Sequence, residues 1–487
     1  MPPRETTTPS GGVAADAAAD RITSLGGGGG VGAGGARKYT TAEVEAHSTP
    51  DDLWLIVHSK VYDVTRFAPK HPGGNMIWVK GGGDCTQLFD SYHPLKTQAV
   101  LDKYYIGEVD RRAGDEHKII EYKDDMKKGG FYMDAKVAVE KYFKDNKLDP
   151  RVHTEMYIKT FVILAGVVIC NYCSFFLTSS FLVSAVFAAL HGMFKAEIGV
   201  SIQHDANHGA YGKNRTFLHA MQLSLDVVGA SSFMWRQQHV VGHHAYTNVE
   251  GIDPDIRCAP ENDIRRVNEH QPRAAHHSLQ HIYLFFAYGL LSFKSCFADD
   301  FAAYASGRIG WVKVAKFTWG EAAAFWGSKA LWAFYYLYLP AKYSVHSGAR
   351  IAALVAVTEV ITGWLLAFMF QVAHVVGDVR FFKLSAEGKL NLGWGESQLY
   401  SSADFAHGSW FWTHFSGGLN YQVAHHLFPG VCHVHYPQIA KVIMKVAKEH
   451  GLEYTVYPTF WSALSAHFAH LKNVGQNGYI PSLQTVG

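Results

Sequence analysis

The chain has 487 residues, a formal net charge of +2 and 18% charged residues. This balance argues against a protein that binds nucleic acid through a basic field, and six cysteines in such a length exclude a disulfide framework. The unusual count is 28 histidines, because histidine is both a metal ligand and a proton carrier. Its meaning depends on whether the histidines cluster at ligand spacing.

Four segments follow one another along the chain. Residues 1–36 are rich in glycine and alanine and predict a disordered tail. Residues 37–112 are globular in composition, with the strand-like WLIVHSKVYDV before the turn-rich PKHPGGN. Residues 113–150 are charged and predict a solvated linker with amphipathic helical pieces, and residues 151–487 contain the long apolar runs.

The apolar runs predict an α-helical integral membrane domain of about four transmembrane helices. Residues 160–194 contain no Asp, Glu, Lys or Arg, and one span needs about 20 residues, so 156–202 predicts a helical hairpin. Residues 322–341 and 351–373 predict a second hairpin, and 281–297 an interfacial helix. Two hairpins return the chain to the same face, so the segments 200–320 and 374–487 should share the face of the N-terminal domain.

The histidines cluster in the segments predicted on that face. HDANH contains His204 and His208, and QQHVVGHH contains His239, His243 and His244. A spacing of i, i+4 puts two imidazoles on one helix face, whereas His244 is rotated by about 100° from His243 and can reach a different metal. The remaining candidates are Gln422, His425 and His426 in QVAHH, and His374 at the end of the last predicted span.

Such a set of imidazoles is ample for two iron ions, which accept nitrogen ligands. The chain has no HExxH and no Glu-x-x-His, which argues against a zinc protease and a ferritin-like carboxylate centre. The pattern therefore predicts a membrane-embedded di-iron enzyme that activates oxygen. Asp205 is a candidate to orient an imidazole, His407 is a weaker ligand candidate, and the pair His276–His277 is expected to be structural.

The three histidine boxes resemble those of the membrane fatty acyl desaturase and hydroxylase superfamily. A third box that begins with Gln422 resembles the front-end desaturases, which carry an N-terminal cytochrome b5 domain. Residues 37–112 resemble that small α+β domain, and the resemblance makes His71 of HPGG and His93 of FDSYHP the axial ligands of haem b. Two axial imidazoles leave no open position, so such a haem carries electrons.

At finer grain, three strings resemble green-algal delta-5 desaturases of polyunsaturated acids: GGDCTQLFDSYHP, GASSFMWRQQHVVGHHAYTNV and ADFAHGSWFWTHFSGGLNYQVAHHLFPG. The resemblance implies O2 as co-substrate, NADH-cytochrome b5 reductase as electron donor, and a C20 acyl substrate held as a phospholipid or CoA ester. It also implies a multi-pass protein of the endoplasmic reticulum membrane, with the haem domain and histidine boxes facing the cytosol. Phe233, Trp235 and Trp412 are candidates to line an acyl tunnel.

Several alternatives stay open at this point. Delta-6 and delta-8 desaturases share all the boxes, and a cytochrome b5-fused sphingolipid desaturase belongs to the same superfamily. The Gln-led third box disfavours a fatty acid 2-hydroxylase. A haem-binding electron-transfer adaptor without catalysis is the alternative from a different class. His374 and Gln422 are open as direct iron ligands, since Gln422 could instead hydrogen-bond a ligand or water.

Overall fold

The computed structural model describes residues 36–256 and 264–476. Apart from residue 36, the predicted tail (residues 1–36) lies outside the described residues.

The first folded unit is a small α+β domain built on a five-stranded sheet. Along Asp52–Val57, Leu53, Leu55 and Val57 enter one core, whereas Ile56 enters a core on the opposite face, as a strand's period of two requires. The strands, in sheet order, are Lys38–Thr40, Tyr105–Asp110, Lys60–Asp63, Asp52–Val57 and Ser48–Thr49. The helices and helical turns are Thr41–Ala46, Ala68–Lys70, Gly74–Trp78, Thr86–Tyr92, Leu95–Thr97, Gln98–Leu101 and Asp102–Tyr104.

The segment predicted as a solvated linker, 113–150, packs against the C-terminal part of the chain. Its strand Glu121–Lys123 pairs in parallel with Lys389–Gly393. Its helix Phe131–Asp145 packs on Tyr436–Glu449 within one apolar core. The helix is amphipathic, as expected, but its apolar stripe is buried, so the segment does not run through solvent. The buried apolar residues of the stripe are Phe131, Tyr132, Ala135, Val139 and Phe143.

Three helices of the described residues are long and apolar enough to cross a membrane: Thr154–Leu177, Phe181–Asn207 and Gly348–His374. Large apolar side chains on them face outward, with Phe161 73% and Leu182 75% exposed, as lipid-facing positions require. The fourth predicted span is helical over 319–343, but it is not among the three helices that are long and apolar enough to cross a membrane. Its Lys329 is buried against Asp300, with Nζ and Oδ2 2.6 Å apart.

The second and third apolar helices pack closely. A Cβ at Gly192 would lie 2.5 Å from the Thr358 carbonyl oxygen, so only glycine permits this approach. Lys195 donates to Glu359 at 2.5 Å, and both side chains are buried. This pairing satisfies two charges that would otherwise be costly inside the helix bundle.

The remaining elements lie between and after the apolar helices, and they include the second and third histidine boxes. The helical segments are Arg215–Gln222, Ser224–Val227, Ser232–Trp235, Arg236–His243, Ala275–Leu279, Gln280–Tyr288, Leu291–Lys294, Ser295–Asp299, Asp300–Ser306, Trp319–Trp332, Ala333–Tyr338, Leu339–Tyr343, Trp394–Tyr400, Trp410–Phe415, Leu419–Tyr421, Gln422–Leu427, His433–His435, Tyr436–Glu449 and Phe460–Gln476. Two short strand pairs are Arg308–Ile309 with Val312–Lys313, and Asp404–Phe405 with Val456–Tyr457.

Candidate metal centre and haem site

Eight predicted histidines come together, seven of them in two adjacent groups and His244 between the groups, and all eight are buried. Within each group, one ligand nitrogen from every residue lies within 4.8 Å of the others. We call these groups the first and the second histidine group. The first histidine group is His204, His208, His239 and His425, the second is His243, His374 and His426, and His244 joins His425 and His426 between them.

The ends of two apolar helices bring these groups to one place. His204 lies in the last turn of the helix that ends at Asn207, and His208 caps it. His374 is the final residue of Gly348–His374. The histidine boxes therefore meet at one end of the apolar helices, as predicted, although only three helices of the described residues are long and apolar enough to cross a membrane.

The second box does not follow α-helical geometry. Arg236–His243 forms a π-helix, and the His244 N–H donates to the His239 carbonyl at 2.9 Å, five residues back. His239 belongs to the first histidine group and His243 to the second. The pair also meets Asp255 in one further combination. A π-turn of this kind is typical of functional sites.

Most of these imidazoles are held through Nδ1. The Nε2 atoms of His208, His243 and His425 are buried and make no hydrogen bond within the described residues. A partner at Nδ1 fixes the ring and leaves Nε2 for a metal, which is the usual arrangement around a ligating histidine. The Nδ1 partners are Tyr92 Oη for His208 (2.5 Å), Asp255 for His239 (2.7 Å), Asp253 for His243 (2.9 Å), the Ser401 carbonyl for His374 (2.9 Å), Tyr436 Oη for His425 (3.2 Å) and Gln398 for His426 (2.8 Å).

Sequence reasoning missed these supporting residues. Asp253 and Asp255 belong to the string DPD, shortly after the second box. Two carboxylates so close to a histidine-rich box were a usable signal, since such groups orient ligating imidazoles. Tyr92, Gln398 and Tyr436 lie far from their histidines in sequence, and no local pattern identifies them.

Burial favours the uncharged form of most of the candidate ligand imidazoles. Desolvation lowers the pKa of His208, His425 and His426 well below the ordinary value. Burial also lowers the pKa of His239 to about 4, although its hydrogen bond with Asp255 acts in the opposite direction. Neutral imidazoles can coordinate a metal without first releasing a proton, so the groups are suited to bind cations at neutral pH.

Gln422 lies inside the second histidine group. Its Nε2 is 2.8 Å from Nε2 of His374 and 3.1 Å from Nε2 of His426. Its Oε1 is buried without a hydrogen bond in the described part of the chain. The side-chain amide therefore points at the position where the imidazole nitrogens converge.

The other polar candidates lie outside both groups. Asp205 accepts from Nδ1 and the backbone N–H of His433, at 2.8 and 3.1 Å, and is 3.9 Å from His204 Nδ1. His407 bonds Asp404 at 2.8 Å. In the pair His276–His277, Nδ1 of the second histidine accepts a backbone N–H.

Of the three aromatic candidates, only Trp235 contacts a histidine group. It stacks on His239 with ring centroids 4.4 Å apart. Phe233 packs instead on Phe317, and Trp412 on Phe460.

The predicted haem ligands face one another in the small domain. The ring centroids of His71 and His93 are 5.9 Å apart. Their Nδ1 atoms lie 3.3 Å from the Gly74 carbonyl and 3.1 Å from the Phe89 carbonyl, which leaves both Nε2 atoms for axial ligation. Burial lowers the pKa of His93 to about 4. These residues fit a haem held by two neutral imidazoles.

Comparisons with known proteins agree with the division into an N-terminal haem domain and a histidine-rich domain. The family described as Fatty acid desaturase matches residues 179–458, and the Cytochrome b5-like Heme/Steroid binding domain matches residues 40–110. An acyl-lipid (8-3)-desaturase of Physcomitrium patens is 54% identical over 90% of this chain and 92% of its own. A Delta(5) fatty acid desaturase A of Dictyostelium discoideum is 33% identical, over 91% and 94%. An sn-1 linoleoyl-lipid 6-desaturase of Synechocystis is 32% identical, over 72% and 96%.

The cofactors of a chain with these two domains are haem, in the b5 domain, and a di-iron centre, in the histidine-rich domain. The apolar helices associate the chain with a membrane. The protein belongs to the fatty acid desaturase family, as a front-end desaturase fused to its own cytochrome b5 domain.

Proposed function

We propose that this desaturase introduces a cis double bond at delta-5 of C20 polyunsaturated acyl chains. The products would be arachidonate from dihomo-gamma-linolenate and eicosapentaenoate from eicosatetraenoate. The observation that carries the desaturation chemistry is the convergence of eight imidazoles where the apolar helices end. The (8-3) and Delta(5) desaturases among the relatives, which match over most of their length, favour this position.

The proposed iron ligands are the two histidine groups, His244 between them, and Gln422. When bound there, two irons supply the O2 activation needed to remove two hydrogens from adjacent methylenes. The chain's own part is to hold the imidazoles through the carboxylates, hydroxyls and carbonyls described above, and to fix the depth of the acyl chain so that the right carbons face the centre. The proposed ligands are His204, His208, His239, His243, His244, His374, Gln422, His425 and His426.

The proposed electron entry is the b5 domain, residues 37–112, with His71 and His93 as axial ligands. The segment 113–150 then joins it to the desaturase domain, residues 151–487. We propose NADH-cytochrome b5 reductase as donor, and a place in the endoplasmic reticulum membrane with both cofactor sites on the cytosolic face. The meeting of the boxes at one end of the spans supports a shared face.

A second candidate is desaturation at delta-6. It is favoured by the cyanobacterial sn-1 linoleoyl-lipid 6-desaturase, whose similarity covers 72% of this chain. The lower identity and smaller coverage make it second to delta-5.

The test is expression in a host that lacks C20 polyunsaturated acids, fed separately with C18 and C20 precursors. Mass spectrometry then locates the new double bonds. We expect a delta-5 product from C20 precursors only. A delta-6 product from C18 precursors would replace the proposed position, and a chain that holds haem and iron but forms no product would overturn the catalytic assignment.

A further inference from the structure

One helix of the b5 domain reaches both cofactor sites. Thr86–Tyr92 ends at Tyr92, and the next residue is the haem ligand candidate His93. The Tyr92 hydroxyl oxygen lies 2.5 Å from Nδ1 of His208 in the first histidine group. The two rings are nearly parallel, with centroids 6.0 Å apart and planes at 16°. Two adjacent residues at the end of one short helix therefore face the metal centre and the haem site.

The contact lies within a continuous interface between the two domains. Met76, Val79, Leu88 and Tyr92 of the b5 domain join an apolar cluster with desaturase residues. Polar bonds surround this cluster: Lys80 Nζ to Tyr246 Oη (2.7 Å), Gln237 Nε2 to the Val79 carbonyl (3.2 Å), Arg215 to the His71 carbonyl (2.8 Å) and Lys136 Nζ to the His93 carbonyl (2.9 Å).

Trp235 extends the contact into the first histidine group. It packs on the cluster that contains Tyr92, and its ring centroid lies 5.6 Å from that of His204, 5.5 Å from that of His208 and 4.4 Å from that of His239. The face of the first histidine group that is turned to the b5 domain is therefore formed by one tryptophan and one tyrosine.

We propose that Tyr92 is a positioning residue of the metal centre, supplied by the b5 domain, and that it links docking of that domain to iron binding. When Nε2 of His208 takes a metal, its Nδ1–H donates to the Tyr92 hydroxyl oxygen, which fixes the ring. The desaturase domain would then lack one ligand-orienting group unless the b5 domain is docked. Because such coupling is reciprocal, iron at the first histidine group must also tighten the docked state.

The proposal rests on the ligand set given above, and its tests do not depend on which acyl chain is used. Tyr92→Phe removes one hydroxyl and keeps the ring that fills the interface. Tyr246→Phe is the matched control, because it removes a hydroxyl from the same interface, bonded to Lys80 and to no imidazole. Full haem absorbance in each purified full-length variant shows that the b5 domain is folded.

The first measurement is iron affinity by competition with a chelator. We expect Tyr92→Phe to bind iron at the first histidine group about tenfold or more weakly, the cost typical of losing a group that orients a ligand. Tyr246→Phe should bind iron as the unaltered chain does. Equal affinities for all three proteins would overturn the proposal.

The second measurement is amide hydrogen exchange of residues 86–93 with and without iron. Iron should slow exchange there in the unaltered chain and in Tyr246→Phe, and should slow it markedly less in Tyr92→Phe. A purely structural role for the tyrosine would leave the effect of iron unchanged, and that result would overturn the proposal. The proposal would also be overturned if iron did not change the exchange of residues 86–93 in the unaltered chain.

The two proposals can fail separately. A feeding experiment without delta-5 product, combined with the expected behaviour of Tyr92→Phe, would overturn only the proposed regiochemistry. Normal delta-5 product, with no effect of Tyr92→Phe on iron or exchange, would overturn only the role of Tyr92.

Discussion

Substitution can separate the roles proposed for individual histidines. His425→Ala removes a ligand candidate whose buried Nε2 has no hydrogen bond within the described residues. We expect loss of product and of iron, with haem absorbance unchanged, because His71 and His93 lie in a different site. His407→Ala is the control, since His407 pairs with Asp404 outside the histidine groups. Iron and activity in His425→Ala equal to those of the control would contradict the ligand assignment.

Asp253 is expected to act on the metal through His243. Its carboxylate accepts from His243 Nδ1 at 2.9 Å and from the Asn248 backbone N–H at 2.9 Å. Asp253→Asn should weaken iron binding about 10- to 100-fold, the range seen when such a partner is lost. Chelator competition measures this change, and an unchanged affinity would show that the carboxylate does not orient the ligand.

Composition and local spacing were sufficient to identify the histidines, because ligand boxes are local in sequence. They could not assign His239 and His243 to different groups, since the sequence does not reveal that this segment forms π-turns, with hydrogen bonds five residues apart, instead of α-turns. Partners such as Tyr92 and Gln398 come from distant segments, and their placement depends on tertiary packing.

At the scale of helices, the buried pair Lys195–Glu359 joins two apolar helices. Glu359→Ala leaves the Lys195 ammonium without its carboxylate, and unpaired buried charges typically cost about 3–5 kcal/mol. We expect a clearly lower Tm in detergent, measured by intrinsic fluorescence. The double variant Lys195→Met with Glu359→Leu should recover much of the loss, because it removes both charges. A Tm unaffected by Glu359→Ala would contradict a stabilising role for the pair.

Helices were predicted correctly where the apolar residues form a continuous run. The prediction was incomplete where apolar and charged residues are mixed. The spans around Thr160 and Ile351 are helices in the structure. In segment 113–150 the apolar residues are interspersed with lysines and aspartates, so the composition indicated a solvated linker. In the structure the apolar face of its helix is buried. The mixed helix over 319–343 carries Lys329, whose partner Asp300 is not visible from local sequence.

At the scale of the whole molecule, the buried histidines predict acid sensitivity of the metal-free chain. Burial lowers the pKa of His467 to about 3 and of His470 to about 4, and it also lowers the pKa values of His208 and His425. Near pH 6.5 these histidines take up protons in the unfolded chain, whereas in the folded chain they stay neutral. Stability is therefore fully present above pH 6.5 and falls below it, by up to about 1.4 kcal/mol per pH unit for each such histidine. A Tm that stays constant between pH 7.5 and 5.5 would contradict this expectation.

One chain carries both a cytochrome b5 domain for haem and a histidine-rich domain for two irons. The most direct measurement is the metal content of the purified full-length protein, with total iron from elemental analysis and haem from its absorbance. We predict one haem and two further irons per chain, three iron atoms in all. One iron per chain, all of it in haem, would contradict the account and would favour an electron-transfer adaptor.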